Sequence, residues 1–293
     1  MKITLTGSLG NISKPLAQQL INNGHQVTII SSNADRKTAI EAIGAAAAIG
    51  SLKDVAFLTQ AFTGADVVYT MVPPDFSAAN YRKYVAETGQ NYAKAIIAAG
   101  VKQVVNLSSI GAHLSEGTGP IKGLHDVEQI LNGLEGVTVK HLRPVYFFIN
   151  FYGVIDMIKH AGIVGANFDE NTRMLLVHPE DIAAAAAEEI EVPFTAPVIR
   201  YIAGDEVKSG DVAAALGAAI GKPDLKWIEF TDQQALEGMT QGGLPVEIAT
   251  NYVEMNNAIS TGVLWEDFDL HKPAVSGKIK LTEFAKEFAE KYA

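Results

Sequence analysis

The sequence predicts an α/β fold: a doubly wound parallel sheet followed by a smaller, mostly helical C-terminal region. Three observations carry that expectation. Six short β-rich runs alternate with helical segments between Lys2 and Leu142. A turn containing Gly7 and Gly10 lies between the first run and the first helical segment. After Phe147 the chain changes character and becomes rich in helical spacing.

Lys2–Thr6 reads as a strand ending in glycine. Lys14–Asn23 has apolar residues at helical spacing through Leu16, Ala17, Leu20 and Ile21, with Pro15 tolerated in the first turn and Gly24 as the stop. Val27–Ile30 is the second strand, of the fully buried kind. A helix over Asp35–Ile43 closes at Gly44, and Ala45–Ile49 is a third apolar run. The series continues with a helix over Leu52–Phe62, strand Val67–Met71, a long helix over Ala78–Ala99, strand Val104–Leu107, a helix over Leu124–Leu134 and strand Val137–Leu142. Parallel neighbours need crossover helices, and this alternation supplies them.

Beyond it, Phe147–Ile158 is aromatic and apolar. Pro179–Ile190 is a helix expected to pack back on the sheet, its alanines 183–187 forming a tightly packed face, and Val198–Ile202 is one more strand. Helices are expected over Ser209–Ile220, Thr231–Met239, Val246–Ile259 and Thr282–Tyr292. The expected division is a dinucleotide-binding domain over 1–150, with 179–205 packing on it. The smaller substrate or lid region would comprise 151–178 and 206–293.

Composition narrows the function. Hydrophobic residues at 48% and charged residues at 19% are the balance of a globular fold. A net charge of −10 disfavours a nucleic-acid surface, though a pocket for one dinucleotide needs only one or two cations. The absence of cysteine excludes disulfides, thiolate catalysis and cysteine-ligated metal. No run reaches the ~18 apolar residues of a membrane span, so the cytoplasm is the expected location.

The segment Thr6-Gly7-Ser8-Leu9-Gly10-Asn11-Ile12-Ser13 is where chemistry enters. Glycine lets the backbone turn sharply and approach a pyrophosphate. The helix that follows offers free N–H groups and the positive end of its dipole. The spacing is G-x-x-G-x-x-S, with Ser13 in the third small position. Its place between strand and helix points to the dinucleotide loop of a Rossmann fold, the other reading being a plain tight strand–helix turn.

An NAD-specific site carries Asp or Glu at the end of the second strand to bond the ribose 2′-hydroxyl. This chain has Ser31-Ser32-Asn33 there, with Arg36 and Lys37 close behind and no carboxylate before Asp35. Hydroxyl and amide groups with nearby cations suit a 2′-phosphate, so NADP(H) is the expected cofactor, NAD(H) being the other option. Ser32 or Asn33 could instead simply cap the next helix.

The loop is followed in order by Tyr69-Thr70-Met71-Val72-Pro73-Pro74, Asn106-Leu107-Ser108-Ser109, Leu142-Arg143-Pro144-Val145-Tyr146-Phe147 and His178-Pro179-Glu180-Asp181-Ile182-Ala183. Together these resemble the NmrA-like family of atypical short-chain dehydrogenases, over nearly the whole chain. The resemblance implies that Gly7, Gly10 and Ile12 cradle the pyrophosphate and that Ser31, Ser32 and Asn33 approach the adenosine ribose. It further implies that Met71, Val72 and Pro73 line the nicotinamide ribose, with Pro144, Val145, Tyr146 and Phe147 walling the nicotinamide. The family includes NAD(P)H-dependent quinone reductases, reductases of plant secondary metabolism, and cofactor-sensing regulators.

One departure matters. Catalytic short-chain dehydrogenases use Tyr-x-x-x-Lys, whose lysine lowers the tyrosine pKa for general acid catalysis. If Glu128 matches the family's helix glutamate, Ile121 and His125 fill those positions. Sugar-nucleotide epimerisation and ordinary carbonyl reduction are thereby disfavoured.

Hydride transfer to a quinone or similar acceptor needs less: an acceptor held over the nicotinamide, with water excluded. Tyr146, Phe147, Phe148, Phe151 and Tyr152 could wall it or serve as core. His125 and Tyr146 are the candidate catalytic residues. Ser108 and Ser109, at a strand's C-terminal end, are candidates for cofactor contact, as are Ser8, Leu9 and Asn11 in the loop, and His113 is a weaker candidate. No histidine spacing suits a metal. The expected activity is NADP(H)-dependent reduction of a quinone-like small molecule by a monomer or homodimer. The rival is a non-catalytic cofactor sensor acting through a protein partner.

Overall fold

The computed structural model describes all residues, Met1–Ala293. Its elements, in chain order, are β1 (Lys2–Leu5), α1 (Ser13–Asn22), β2 (Gln26–Ser31), α2 (Lys37–Ala42), β3 (Ala46–Ile49), α3 (Val55–Phe62), β4 (Val67–Thr70), α4 (Tyr81–Ala99), β5 (Gln103–Leu107), α5 (Ile121–Asn132) and β6 (Thr138–Pro144). There follow β7 (Tyr146–Phe147), α6 (Ile155–Ala161), β8 (Val164–Ala166), β9 (Arg173–Val177), α7 (Pro179–Glu191), β10 (Val198–Ile202), β11 (Asp205–Lys208), α8 (Ser209–Ala219), β12 (Trp227–Glu229), α9 (Asp232–Gln241), α10 (Val246–Ser260), α11 (Glu266–His271) and α12 (Leu281–Tyr292). No helix is long and apolar enough to cross a membrane.

Packing divides the chain into two units of near-equal length. The first is Met1–Ser109 with Gly123–Arg143 and Ile182–Arg200; the second is Ile110–Lys122, Pro144–Asp181 and Tyr201–Ala293. The division therefore follows packing, not a single break in the sequence, and the 110–122 segment groups with the later residues.

In the first unit, the seven-stranded sheet runs β10-β6-β5-β4-β1-β2-β3. The pairs β1·β2, β1·β4, β2·β3, β4·β5 and β5·β6 are all parallel. This is the doubly wound order, and it reverses between β1 and β4, so ligands collect beyond the C-terminal ends of those strands. All four residues of β4 are buried, as a strand covered by helices on both faces demands. Ile30, Leu58, Phe62, Val68, Val104, Ile96, Val127 and Val139 belong to one core cluster.

Caps explain where helices begin. Asp54 accepts from the Phe57 amide and Asn80 from the Lys83 amide, so α3 and α4 start three residues later than periodicity suggests. Gly100 ends α4 in the left-handed region at φ 72°. The C-terminal end of α7 is held by Lys140 of β6, which donates to the carbonyls of Glu189 at 2.8 Å and Val192 at 3.1 Å. The same ammonium pairs with the Glu189 carboxylate at 3.2 Å.

The second unit contains two small sheets that periodicity did not show, β11-β9-β7 and β12-β8. Their strands have two to five residues, too short for a clear alternation. The helices expected in this half are present as α8, α9, α10 and α12. Phe148 stacks on Phe284 with ring centroids 5.1 Å apart, and Trp227 donates its indole N–H to the Phe168 carbonyl at 2.8 Å.

Candidate functional site

The loop after β1 is shaped by backbone conformations that few residues adopt. Gly7 has φ 92° and Ser8 has φ 54°. Ser8 is not glycine, so its left-handed conformation needs support from its surroundings. That support comes from β2: the Ser8 amide donates to the Ile30 carbonyl at 3.1 Å, and its hydroxyl donates to Ser31 Oγ at 2.9 Å. Ser13, buried at the start of α1, donates to the Thr6 carbonyl at 3.0 Å. A serine can therefore replace the third glycine, because its hydroxyl ties the helix to the strand end.

The N-terminus of α1 has an unusual cap. Ile12 occupies the N-cap position, offers no side-chain acceptor, and no acidic residue lies in the first turn. In the first turn, Lys14 donates its amide to the Gly10 carbonyl at 3.0 Å and Pro15 has no amide proton, so the Ile12 and Ser13 amides are what this end of α1 offers a ligand. An external anion fits that arrangement, since N–H groups and the dipole both favour it. A Cβ built on Gly10 would meet only the Gly7 carbonyl oxygen, at 3.0 Å, and otherwise open space.

At the end of β2, the candidates separate by role. Ser31 is buried and accepts the Asn33 amide at 3.2 Å as well as the Ser8 hydroxyl, so it braces the loop. Asn33 accepts the Asp35 amide at 2.9 Å, which is the capping alternative left open by the sequence. Ser32 and Arg36 are exposed, and Arg36 Nη1 donates to Ser8 Oγ at 3.4 Å. One guanidinium thus sits beside the loop, and the first carboxylate downstream is Asp35.

Met71, Val72 and Pro73 follow β4, and all three are half-buried. Thr6 joins this segment to β1: its hydroxyl accepts the Met71 amide at 2.8 Å and donates to the Met71 carbonyl at 3.2 Å. The Met71 side chain lies against Gly7, where a Cβ would come within 2.9 Å of its Cγ and Sδ.

Ser108, after β5, is buried and its hydroxyl donates to Glu128 Oε1 at 2.5 Å. Arg143 grips the same carboxylate twice, Nε to Oε1 at 3.0 Å and Nη2 to Oε2 at 2.6 Å. Ser108 is therefore a brace, while Ser109 next to it is half-exposed. Deeper in the sheet, Thr70 donates to Asn106 at 2.9 Å and Asn106 lies 3.1 Å from His141 Nδ1. Burial lowers the His141 pKa, the nearby Glu128 carboxylate raises it, and the Arg143 charge lowers it. The sequence did not single out the Glu128–Arg143 pair, because its partners lie on different elements.

On α5, Ile121 is buried and His125, one turn later, is half-buried. Neighbouring Asp126 is held by Arg82 at 2.7 and 2.9 Å. In the second unit, Pro144 and Val145 are buried and Tyr146 is half-buried. Burial raises the Tyr146 pKa well above that of an ordinary phenol, and neighbouring Tyr252 adds to the shift. Its hydroxyl is thus a donor across the neutral range. Phe148 and Phe151 are core residues, whereas Phe147 and Tyr152 are partly exposed.

Residues 7–133 match the NAD(P)H-binding family model. The matched segment holds the dinucleotide loop and strands β2 to β5 of the doubly wound sheet. Among curated relatives, the chain is 26% identical over 293 residues, 98% of each protein, to an NAD(P)H azoreductase of Xenophilus azovorans. Its fold matches the NADPH-dependent quinone oxidoreductase QOR2 of Escherichia coli in complex with NADPH, with TM-score 0.83, 22% identity, and coverage of 97% of this chain and 99% of the other. It also matches the triphenylmethane reductase of Citrobacter sp. complexed with NADP(H), with TM-score 0.82, 19% identity, and coverage of 98% and 99%.

Proposed function

We propose that this chain is an NADP(H)-dependent reductase whose acceptor is a quinone or a similar electron-poor molecule such as an azo compound. One observation carries the reading. The dinucleotide loop is fully formed, while the positions expected to hold a tyrosine–lysine acid pair are filled by buried Ile121 and by His125. Such a site retains a hydride donor but not the general acid of ordinary carbonyl reduction. The azoreductase relative, matched end to end, supports the same acceptor class.

Gly7, Gly10 and the Ile12 and Ser13 amides at the start of α1 would hold the pyrophosphate. Arg36 and Ser32 would meet the 2′-phosphate. Met71–Pro73 and Ser109 would line the nicotinamide end. When bound, the reduced nicotinamide supplies a hydride. A quinone that accepts a hydride also needs one proton to become the hydroquinone. His125 is the group this reading assigns to that transfer.

The test is NADPH consumption, with NADH in parallel, across a panel of quinones and azo dyes. Oxidation that requires both protein and acceptor is the expected result. Tight NADPH binding without turnover on any acceptor would replace this reading with that of a cofactor sensor.

Cofactor choice gives a separate expectation. Arg36→Glu places a carboxylate where the 2′-phosphate is assigned. It should weaken NADPH by about ten- to a hundredfold relative to NADH, as expected for loss of a charge-assisted contact. Equal loss for both cofactors, measured by fluorescence titration, would overturn the assignment.

A further inference from the structure

The segment after β4 is the least regular part of the candidate site. Met71–Ser77 has no helix or strand, and Pro73 and Pro74 have no amide proton to donate. Apart from the local turn at Asp75, its backbone must be fixed through carbonyl oxygens and through Thr6.

Two tyrosines of α4 do this. Tyr92 donates its hydroxyl to the Met71 carbonyl at 2.7 Å, and Tyr84 donates to the Pro73 carbonyl at 2.8 Å. They stand eight residues apart, close to two helical turns, so both lie on the same face of α4. Tyr92 is fully buried and Tyr84 half-buried. Tyr84 also packs in an aromatic row with Tyr81 and Phe76, ring centroids 6.2 Å apart at each step. The Met71 carbonyl receives both Tyr92 and Thr6, while the Met71 side chain rests on Gly7. Tyr92 and Thr6 thus meet on one carbonyl, Tyr84 holds the carbonyl two residues on, and the segment they fix packs against Gly7 of the loop.

We infer that Tyr84 and Tyr92 are positioning residues that fix Met71–Pro73 for the nicotinamide half of the dinucleotide. The inference rests on the proposed placement of that segment. Holding a proline-containing loop in its binding conformation removes an ordering cost that binding would otherwise carry. Burial raises both phenolic pKa values, so the two hydroxyls remain donors at any pH at which the protein is assayed.

The test compares two ligands. NADPH reaches the nicotinamide end, whereas adenosine 2′,5′-bisphosphate occupies only the adenosine end. Tyr84→Phe and Tyr92→Phe keep each ring and remove one donor. Each should raise the NADPH dissociation constant about tenfold, the scale of one good hydrogen bond. Binding of adenosine 2′,5′-bisphosphate should stay within about twofold, since a tenfold change is already a whole hydrogen bond. Tm should change little for Tyr84→Phe, which alters only a half-buried hydroxyl. Equal weakening of both ligands would make the tyrosines general supports of the fold, and unchanged NADPH binding would remove them from the site; either outcome overturns the inference. A wild-type protein that binds neither ligand would instead refute the proposed function itself.

Discussion

Gly10→Val is expected to reduce NADPH affinity by more than about a hundredfold, close to 2.8 kcal/mol, while the protein remains folded. The local geometry explains why both halves of that result should hold. Gly10 does not have a positive φ, so an L-residue can adopt its backbone conformation. Its Cβ would press on the Gly7 carbonyl at 3.0 Å, which a shift of a few tenths of an ångström relieves. Beyond that oxygen the new side chain enters open space, and this is the space assigned to the pyrophosphate. Gly7 would make a poorer test. Its φ of 92° and the Met71 side chain 2.9 Å from a built Cβ mean that any substitution there strains the turn itself. Equilibrium titration with NADPH, alongside a thermal melt, checks the expectation. A folded Gly10→Val protein with wild-type affinity would sink the loop assignment.

The largest effect on stability should come from Arg143→Met. Arg143 and Glu128 are both almost completely buried and joined by two hydrogen bonds, with Ser108 donating to the same carboxylate. Removing the guanidinium leaves a charged group inside the protein with one hydroxyl donor. Such losses cost about 3–5 kcal/mol. For a chain of this size Tm should fall by roughly 10 °C. The double variant Glu128→Gln with Arg143→Met removes both charges and should regain more than half of the loss, because the penalty lies in the stranded charge. Calorimetry on the three proteins decides the matter: a double variant no better than Arg143→Met would place the stability in packing, not in charge pairing. The pair also anchors Ser108 at the end of β5, so the single variant should disturb Ser109 as well.

The departures from the expected reading share a cause. Ser31 and Ser108 were candidates for cofactor contact because each stands at a strand's C-terminal end. In the structure both hydroxyls are engaged within the protein, with Ser8 and Glu128. Sequence position can place a hydroxyl at the right end of the sheet. It cannot say whether the hydroxyl points outward or is taken up by a neighbour. Phe148 and Phe151 illustrate the same point, since an aromatic run reads alike whether it walls a site or fills a core.

By itself the sequence determined the α/β class, the six alternating strands and the loop between β1 and α1. Each of these is encoded by neighbouring residues, through apolar periodicity, helix stops and the conformations that glycine permits. The absence of a carboxylate before Asp35 and of a tyrosine–lysine pair on α5 could likewise be read directly. Tertiary structure alone decided what lies across the strand order. It brought Met71 against Gly7, Tyr84 and Tyr92 onto the carbonyls after β4, and Arg143 onto Glu128. It also paired the short strands β7, β9 and β11 in the second unit. These contacts join residues on different elements, 11 or more positions apart. They exist only once parallel strands have set which loop ends meet, and no local pattern in the chain records that choice.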